Sequence, residues 1–182
     1  MPSSPWNLPN MLSLSRVFLV PVILVFLTLR TQFGFIEGFN IGDLIAGVVF
    51  IIASLTDAAD GYIARKHNIV TNMGKFIDPL ADKILVIAVL TALVELHRFP
   101  AWMVVVIISR EFIVSGLRMV AASEGVVIAA SKGGKLKTVT QIIGIIMLLF
   151  NIPGGMAVMW VAVLLTVWSG VDYVRNSAEL LG

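Results

Sequence analysis

Residues 55–83, LTDAADGYIARKHNIVTNMGKFIDPLADK, put four aspartates into a chain that is otherwise strongly apolar. Asp57 and Asp60 close one apolar run, and Asp78 and Asp82 open the next. The chain has 182 residues, 58% hydrophobic and 13% charged, with a mean hydropathy of +0.97. A soluble domain carries about 25% charged residues. This composition cannot cover a water-exposed surface, so the chain reads as an integral membrane protein of a single domain, residues 1–182.

Outward from that stretch, six apolar segments can be marked: 11–29, 41–65, 78–96, 101–122, 134–150 and 155–174. Each is about the length a helix needs to cross ~30 Å of hydrocarbon. The runs are continuous rather than alternating, which argues against barrel strands. The expected fold is all-α, an integral membrane bundle of six transmembrane helices. Pro5, Trp6 and Pro9 predict a short interfacial segment ahead of the first span. No charged region precedes an apolar core at the N-terminus, and Arg16 lies inside the first span, so a cleaved leader is not expected.

Six spans put Arg65, Lys66, Lys75, Lys132, Lys135, Lys137 and Arg175 on one side and only Arg30 and Arg98 on the other. The lysine- and arginine-rich side is expected to be cytoplasmic. It is also the side of the aspartates. The net charge of +2, with no basic run, gives no reason to expect a nucleic-acid partner, and the absence of cysteine rules out thiol chemistry.

Asp57 and Asp60 are three residues apart, and Asp78 and Asp82 four, so each pair shares a helix face. If the loop between them brings both helix ends to one depth, four carboxylates converge at the edge of the apolar layer. Such a group repels itself unless some members are protonated or a cation holds them. Hard divalent cations suit clustered carboxylate oxygens, and two of them form a phosphoryl-transfer device. Gly61, Ala64 and Gly74 would let a ligand approach the backbone, and Arg65 and Lys75 could meet a pyrophosphate. The plainer alternative makes the aspartates helix-end charges paired with Arg65, Lys66, Lys75 and Lys83. A carboxylate-lined cation transporter is a remote one, since transport would spread ionisable residues through the membrane depth.

The pattern Asp57-x2-Asp60-Gly61-x2-Ala64-Arg65-x8-Gly74-x3-Asp78-x3-Asp82 resembles the signature of the CDP-alcohol phosphatidyltransferase family at all eight positions. The resemblance implies six transmembrane helices, a homodimer, and transfer from a CDP-linked donor to an alcohol with release of CMP. It also implies a site for two divalent cations, Mg2+ first and Mn2+ next, on Asp57, Asp60, Asp78 and Asp82. Asp82 is the general base it implies.

The acceptor must be read elsewhere. Arg110 and Arg118 are eight residues apart in the fourth span and share one broad face. Two arginines inside a membrane protein are costly without an anionic partner, and phosphate matches the guanidinium fork. Arg110 paired simply with Glu111 is the structural alternative. Lys135 and Lys137 lie on roughly opposite faces of the fifth span, so one of them is expected to face the pocket, and Lys135 is chosen. A phosphate site implies a phosphorylated alcohol. The stretches SREFIVSGLR and GGKLKT, with the opening NLPNMLSLSRVFLVP, resemble bacterial phosphatidylglycerophosphate synthases. That resemblance implies CDP-diacylglycerol binding by Asn10, Arg16, Asp57, Asp60, Gly61, Ala64, Arg65, Gly74 and Lys75. It implies sn-glycerol 3-phosphate as acceptor, held by Arg110, Arg118, Lys135 and Lys137, in the bacterial inner membrane with the site facing the cytoplasm. Another acceptor, such as inositol phosphate or phosphatidylglycerol, is the nearest alternative. His67 reads as a loop residue, His97 as interfacial, Trp102, Trp160 and Trp168 as belt or packing residues, and the methionines as core filler.

Overall fold

The computed structural model describes residues 8–67, 72–123, 125 and 132–181. Among them are six α-helices: α1 Leu8–Thr28, α2 Ile41–His67, α3 Asn72–Glu95, α4 Ala101–Ser123, α5 Lys132–Leu149 and α6 Gly155–Leu181. They fall into two units, one ending at Glu95 and the other beginning at Leu96.

In the N-terminal unit, α1 packs against both α2 and α3. Its core is built at helical spacing, from Ile23 and Leu27 of α1, Phe50 and Ala53 of α2, and Leu85, Val89 and Leu93 of α3, all buried. The start of α2 presses closely on α1. A Cβ at Gly42 would lie 2.5 Å from the Phe26 carbonyl oxygen, so this crossing needs glycine. A small hairpin joins the two helices, with β1 Phe35–Ile36 paired antiparallel to β2 Phe39–Asn40. Its turn carries Glu37 at φ 49° and Gly38 at φ 85°. Asn40 then caps α2: its Oδ1 accepts from the backbone N–H of Gly42 at 2.9 Å and of Asp43 at 3.3 Å, and its Nδ2 donates to the Arg30 carbonyl at 3.0 Å. Arg30 pairs with Asp43 at 2.9 Å.

In the C-terminal unit, α6 is the shared helix, packed against α4 and α5. Met103 and Ile107 of α4, Ile145 and Leu149 of α5, and Met159, Ala162 and Thr166 of α6 are buried. The end of α5 is closed from two sides. Asn151 takes the left-handed conformation (φ 53°), with Ile152 N–H bonded to the Met147 carbonyl at 2.8 Å and Asn151 N–H to Leu148 at 3.3 Å. Arg98 Nη1 donates to the carbonyls of Leu148 and Leu149 at 3.3 and 3.2 Å. These bonds satisfy carbonyls that a helix end otherwise leaves open.

The outer faces are apolar. Along α6, Trp160, Val161, Leu164, Val167, Trp168, Val171 and Val174 are exposed, recurring every three or four residues. On α4 the same holds for Trp102, Val105, Phe112, Ile113 and Val120.

The helix limits correct the sequence reading. The third helix begins at Asn72 rather than 78, so positions 74 and 75 are helical, and the sixth runs to Leu181 rather than 174. An apolar run ends at the first polar cluster, whereas the backbone hydrogen-bond ladder continues through it. By length and composition, one helix among the described residues is a membrane-crossing candidate, Gly155–Ser177 in α6, with shorter apolar stretches at Leu14–Thr28 and Ile41–Thr56. Six spans are therefore not established by this criterion. Pro9 lies in α1, and the rest of the expected interfacial segment, residues 1–7, lies outside the described residues.

Candidate functional site

The aspartate motif occupies two consecutive helices. Asp57 and Asp60 lie ten and seven residues before the end of α2, and Asp78 and Asp82 six and ten residues after the start of α3. At 1.5 Å per residue, all four positions are about 9–15 Å from the helix ends that flank the connection. They are two to three turns inside their helices, not at the ends as the sequence suggested. Positions 57, 61 and 64 follow i, i+4, i+7 along α2, and positions 74, 78 and 82 follow i, i+4, i+8 along α3, so each set keeps to one side of its helix. The side chains of Asn10, Asp57, Asp60, Gly61, Ala64, Arg65, His67, Gly74, Lys75, Asp78 and Asp82 lie outside the described residues.

Arg16 is described. It is 1% exposed on α1, the helix that packs against both aspartate-bearing helices. A cation this deeply buried requires polar company. Among the described residues, which leave out the four aspartate side chains, no group of three or more histidine, aspartate or glutamate residues could hold a metal. The donor set on α2 and α3, four carboxylates and no nitrogen or sulfur ligand, fits hard divalent cations.

The cationic residues of the C-terminal unit form a second cluster. Glu111 Oε1 accepts from Arg110 Nη1 at 3.2 Å and from Lys137 Nζ, tying α4 to α5. Arg110 Nη2 donates to Ser169 Oγ at 3.3 Å. The stem of Arg110 lies on Gly170, where a Cβ would come within 3.0 Å of its Cγ. Four residues beyond Ser169, Tyr173 receives Arg118: Nε donates to the phenol oxygen at 3.0 Å, and the guanidinium carbon is 5.4 Å from the ring centroid. Both arginines therefore face α6, consistent with the one broad face that their spacing gives them. The Arg110–Glu111 pairing raised as the structural alternative is also present. Among the described residues, Arg110 and Lys137 share the Glu111 carboxylate.

The two lysines differ in burial. Lys137 is the inward one, its side chain 5% exposed, while Lys135 is exposed. Two residues apart on a helix are about 200° apart, so spacing separates the lysines without saying which is inside. The carboxylate of Glu111 decides it. Ser169, Gly170 and Tyr173 escaped the sequence reading because each passes for helix packing. Their only sequence signal is their position on α6 at the depth of the arginines. Two buried polar atoms of this unit, Arg110 Nε and Gln141 Oε1, make no hydrogen bond among the described residues. Gln141 follows Lys137 by one helical turn.

Residues 6–168 match the family described as CDP-alcohol phosphatidyltransferase. The chain is 46% identical to a CDP-diacylglycerol–glycerol-3-phosphate 3-phosphatidyltransferase of Bacillus subtilis, covering 97% of each chain. It is 34% identical to the protein of that name from Rickettsia typhi, over 93% of this chain and 96% of the relative. The like-named protein of Mycoplasma pneumoniae is 39% identical over 79% of this chain and 68% of its own length. A family match across most of the sequence, with relatives this similar over nearly its full length, means that the chain belongs to the CDP-alcohol phosphatidyltransferase family.

Proposed function

We propose that the protein transfers the phosphatidyl group of CDP-diacylglycerol to sn-glycerol 3-phosphate, giving phosphatidylglycerophosphate and CMP in phospholipid biosynthesis. The observation that carries this reading is the complete eight-position motif on α2 and α3, in a chain so similar throughout to relatives named for that reaction.

Asp57, Asp60, Asp78 and Asp82 hold two divalent cations, Mg2+ first and Mn2+ next, whose chemistry is to neutralise the CDP pyrophosphate. Gly61, Ala64 and Gly74 leave room for the nucleotide, and Asn10, Arg16, Arg65 and Lys75 supply polar and cationic contacts to the donor. Arg110, Arg118 and Lys137 hold the acceptor phosphate, with the exposed Lys135 drawing the anion in. Asp82 takes the proton of the acceptor 1-hydroxyl. The freed oxygen attacks the phosphorus that carries diacylglycerol, and CMP departs with the electrons of the broken P–O bond. Alignment and charge complementarity supply most of the acceleration.

The protein works as a homodimer in the bacterial inner membrane, with all six helices spanning and the aspartates on the cytoplasmic side. The exposed apolar stripes of α4 and α6 support the membrane setting, since water-soluble surfaces rarely show such continuous patches. In detergent with CDP-diacylglycerol, CMP release should require sn-glycerol 3-phosphate and should fail with glycerol, serine or inositol phosphate. Equal release with unphosphorylated glycerol would overturn the acceptor assignment.

A further inference from the structure

We propose that Tyr173 is a positioning residue that selects for the acceptor phosphate by fixing which edge of Arg118 is presented to it. The inference rests on the reading that Arg118 holds that phosphate. A guanidinium has five N–H donors and can grip a pair of oxygens either through Nε and one Nη or end-on through both Nη groups. Tyr173 occupies the first option, because its phenol oxygen takes the Nε–H at 3.0 Å. The ring, 5.4 Å from the guanidinium carbon, holds the plane by cation–π attraction. Tyr173 is itself 4% exposed, so it is a rigid partner. Among the described residues no protein acceptor takes the Arg118 Nη groups. The end-on edge is what remains for a ligand.

Arg110 is held the opposite way. Both of its Nη groups are committed, to Glu111 and Ser169, and its Nε is the buried atom without a hydrogen bond among the described residues. The two arginines thus have different duties. Arg110 is locked into the protein by its end, with Gly170 clearing room for its stem, and contributes mainly charge. Arg118 is locked by its neck and offers its fork. The match to the family model ends at residue 168, short of Ser169, Gly170 and Tyr173.

The test is a two-by-two set, Tyr173→Phe, Arg118→Ala and the double variant, with Michaelis constants measured for both substrates. Tyr173→Phe keeps the ring and removes only the Nε acceptor. It should raise KM for sn-glycerol 3-phosphate about fivefold to tenfold, leave KM for CDP-diacylglycerol unchanged, and hold kcat within about twofold. In the Arg118→Ala background the same change should have no further effect on the acceptor constant. Tyr173→Leu, which loses the ring as well, should exceed Tyr173→Phe. If Arg118→Ala raises the acceptor constant and Tyr173→Phe does not, the positioning role is wrong while the phosphate site stands. If Arg118→Ala leaves the acceptor constant unchanged, the phosphate reading itself fails and takes the positioning role with it. Equal movement of both Michaelis constants in Tyr173→Phe would mark a merely structural tyrosine and also overturn the proposal.

Discussion

Replacing Lys137 with methionine should weaken the protein, and the same change at Lys135 should not. Lys137 has a side chain 5% exposed and donates to Glu111, which is 21% exposed and also holds Arg110 at 3.2 Å. Breaking a buried ion pair by removing one partner costs about 3–5 kcal/mol when the other charge is stranded. Glu111 is not stranded here, because Arg110 stays beside it and water reaches part of it. The expected loss is therefore about 1–3 kcal/mol, the range for a lost charged hydrogen bond. At about 2–4 °C per kcal/mol for a chain of this size, Tm should fall by about 2–12 °C. Lys135→Met, at an exposed position, should stay within about 0.5 kcal/mol. Tryptophan fluorescence melts of the detergent-solubilised variants would read both, with Trp160 and Trp168 as reporters on α6. Equal losses at the two positions, or none at Lys137, would refute the pairing with Glu111 as the feature that orients α5.

Asp57→Asn, Asp60→Asn and Asp78→Asn should each abolish CMP release, and a chelator should do the same to the unaltered protein; turnover in excess chelator would remove the cation requirement. Cysteines placed singly at Gln32 and Asn68 in this cysteine-free chain should react differently with a membrane-impermeant thiol reagent on intact cells. Position 32 should label and position 68 should not, and the reverse would invert the topology. Asn40→Ala removes the cap of α2 and the tie to the Arg30 carbonyl, and should lower stability by about 1–2 kcal/mol with kcat unchanged; a loss of activity without a fall in Tm would contradict a purely structural role.

Much of this organisation is legible in the sequence because it depends on short-range periodicity. All six helices fall where apolar runs stand, and the face shared by Arg110 and Arg118 follows from 3.6 residues per turn. What was missed depends on partners distant in sequence. Lys135 and Lys137 differ in burial because Glu111, 26 residues away, receives one of them. The early start of α3 was hidden because NMGKF looks like a loop when only hydrophobicity is weighed. The hairpin at 35–40 was hidden too, since its strands are two residues each and its signal reduces to glycines at 34 and 38. Tyr173 could not be picked out at all: a tyrosine on an apolar helix is ordinary until the arginine it holds is known.

The shared helix of the C-terminal unit is made after both of the helices that rest on it. Arg118 leaves the ribosome 55 residues before Tyr173, a delay of about 3–11 s at ordinary synthesis rates. Arg110 waits 59 residues for Ser169. During that interval α4 and α5 have each other through Glu111 and Lys137, but not the helix on which both arginines rest. The nascent protein therefore passes through a period in which two guanidinium groups lack their eventual supports, and only α6 ends it. A chain stopped before Gly155 should be cleared by proteolysis much faster than the full-length chain, and equal lifetimes would show that the arginines find adequate company without α6. Order of synthesis thus makes the cationic cluster wait on α6: it cannot take its final form before that helix is present.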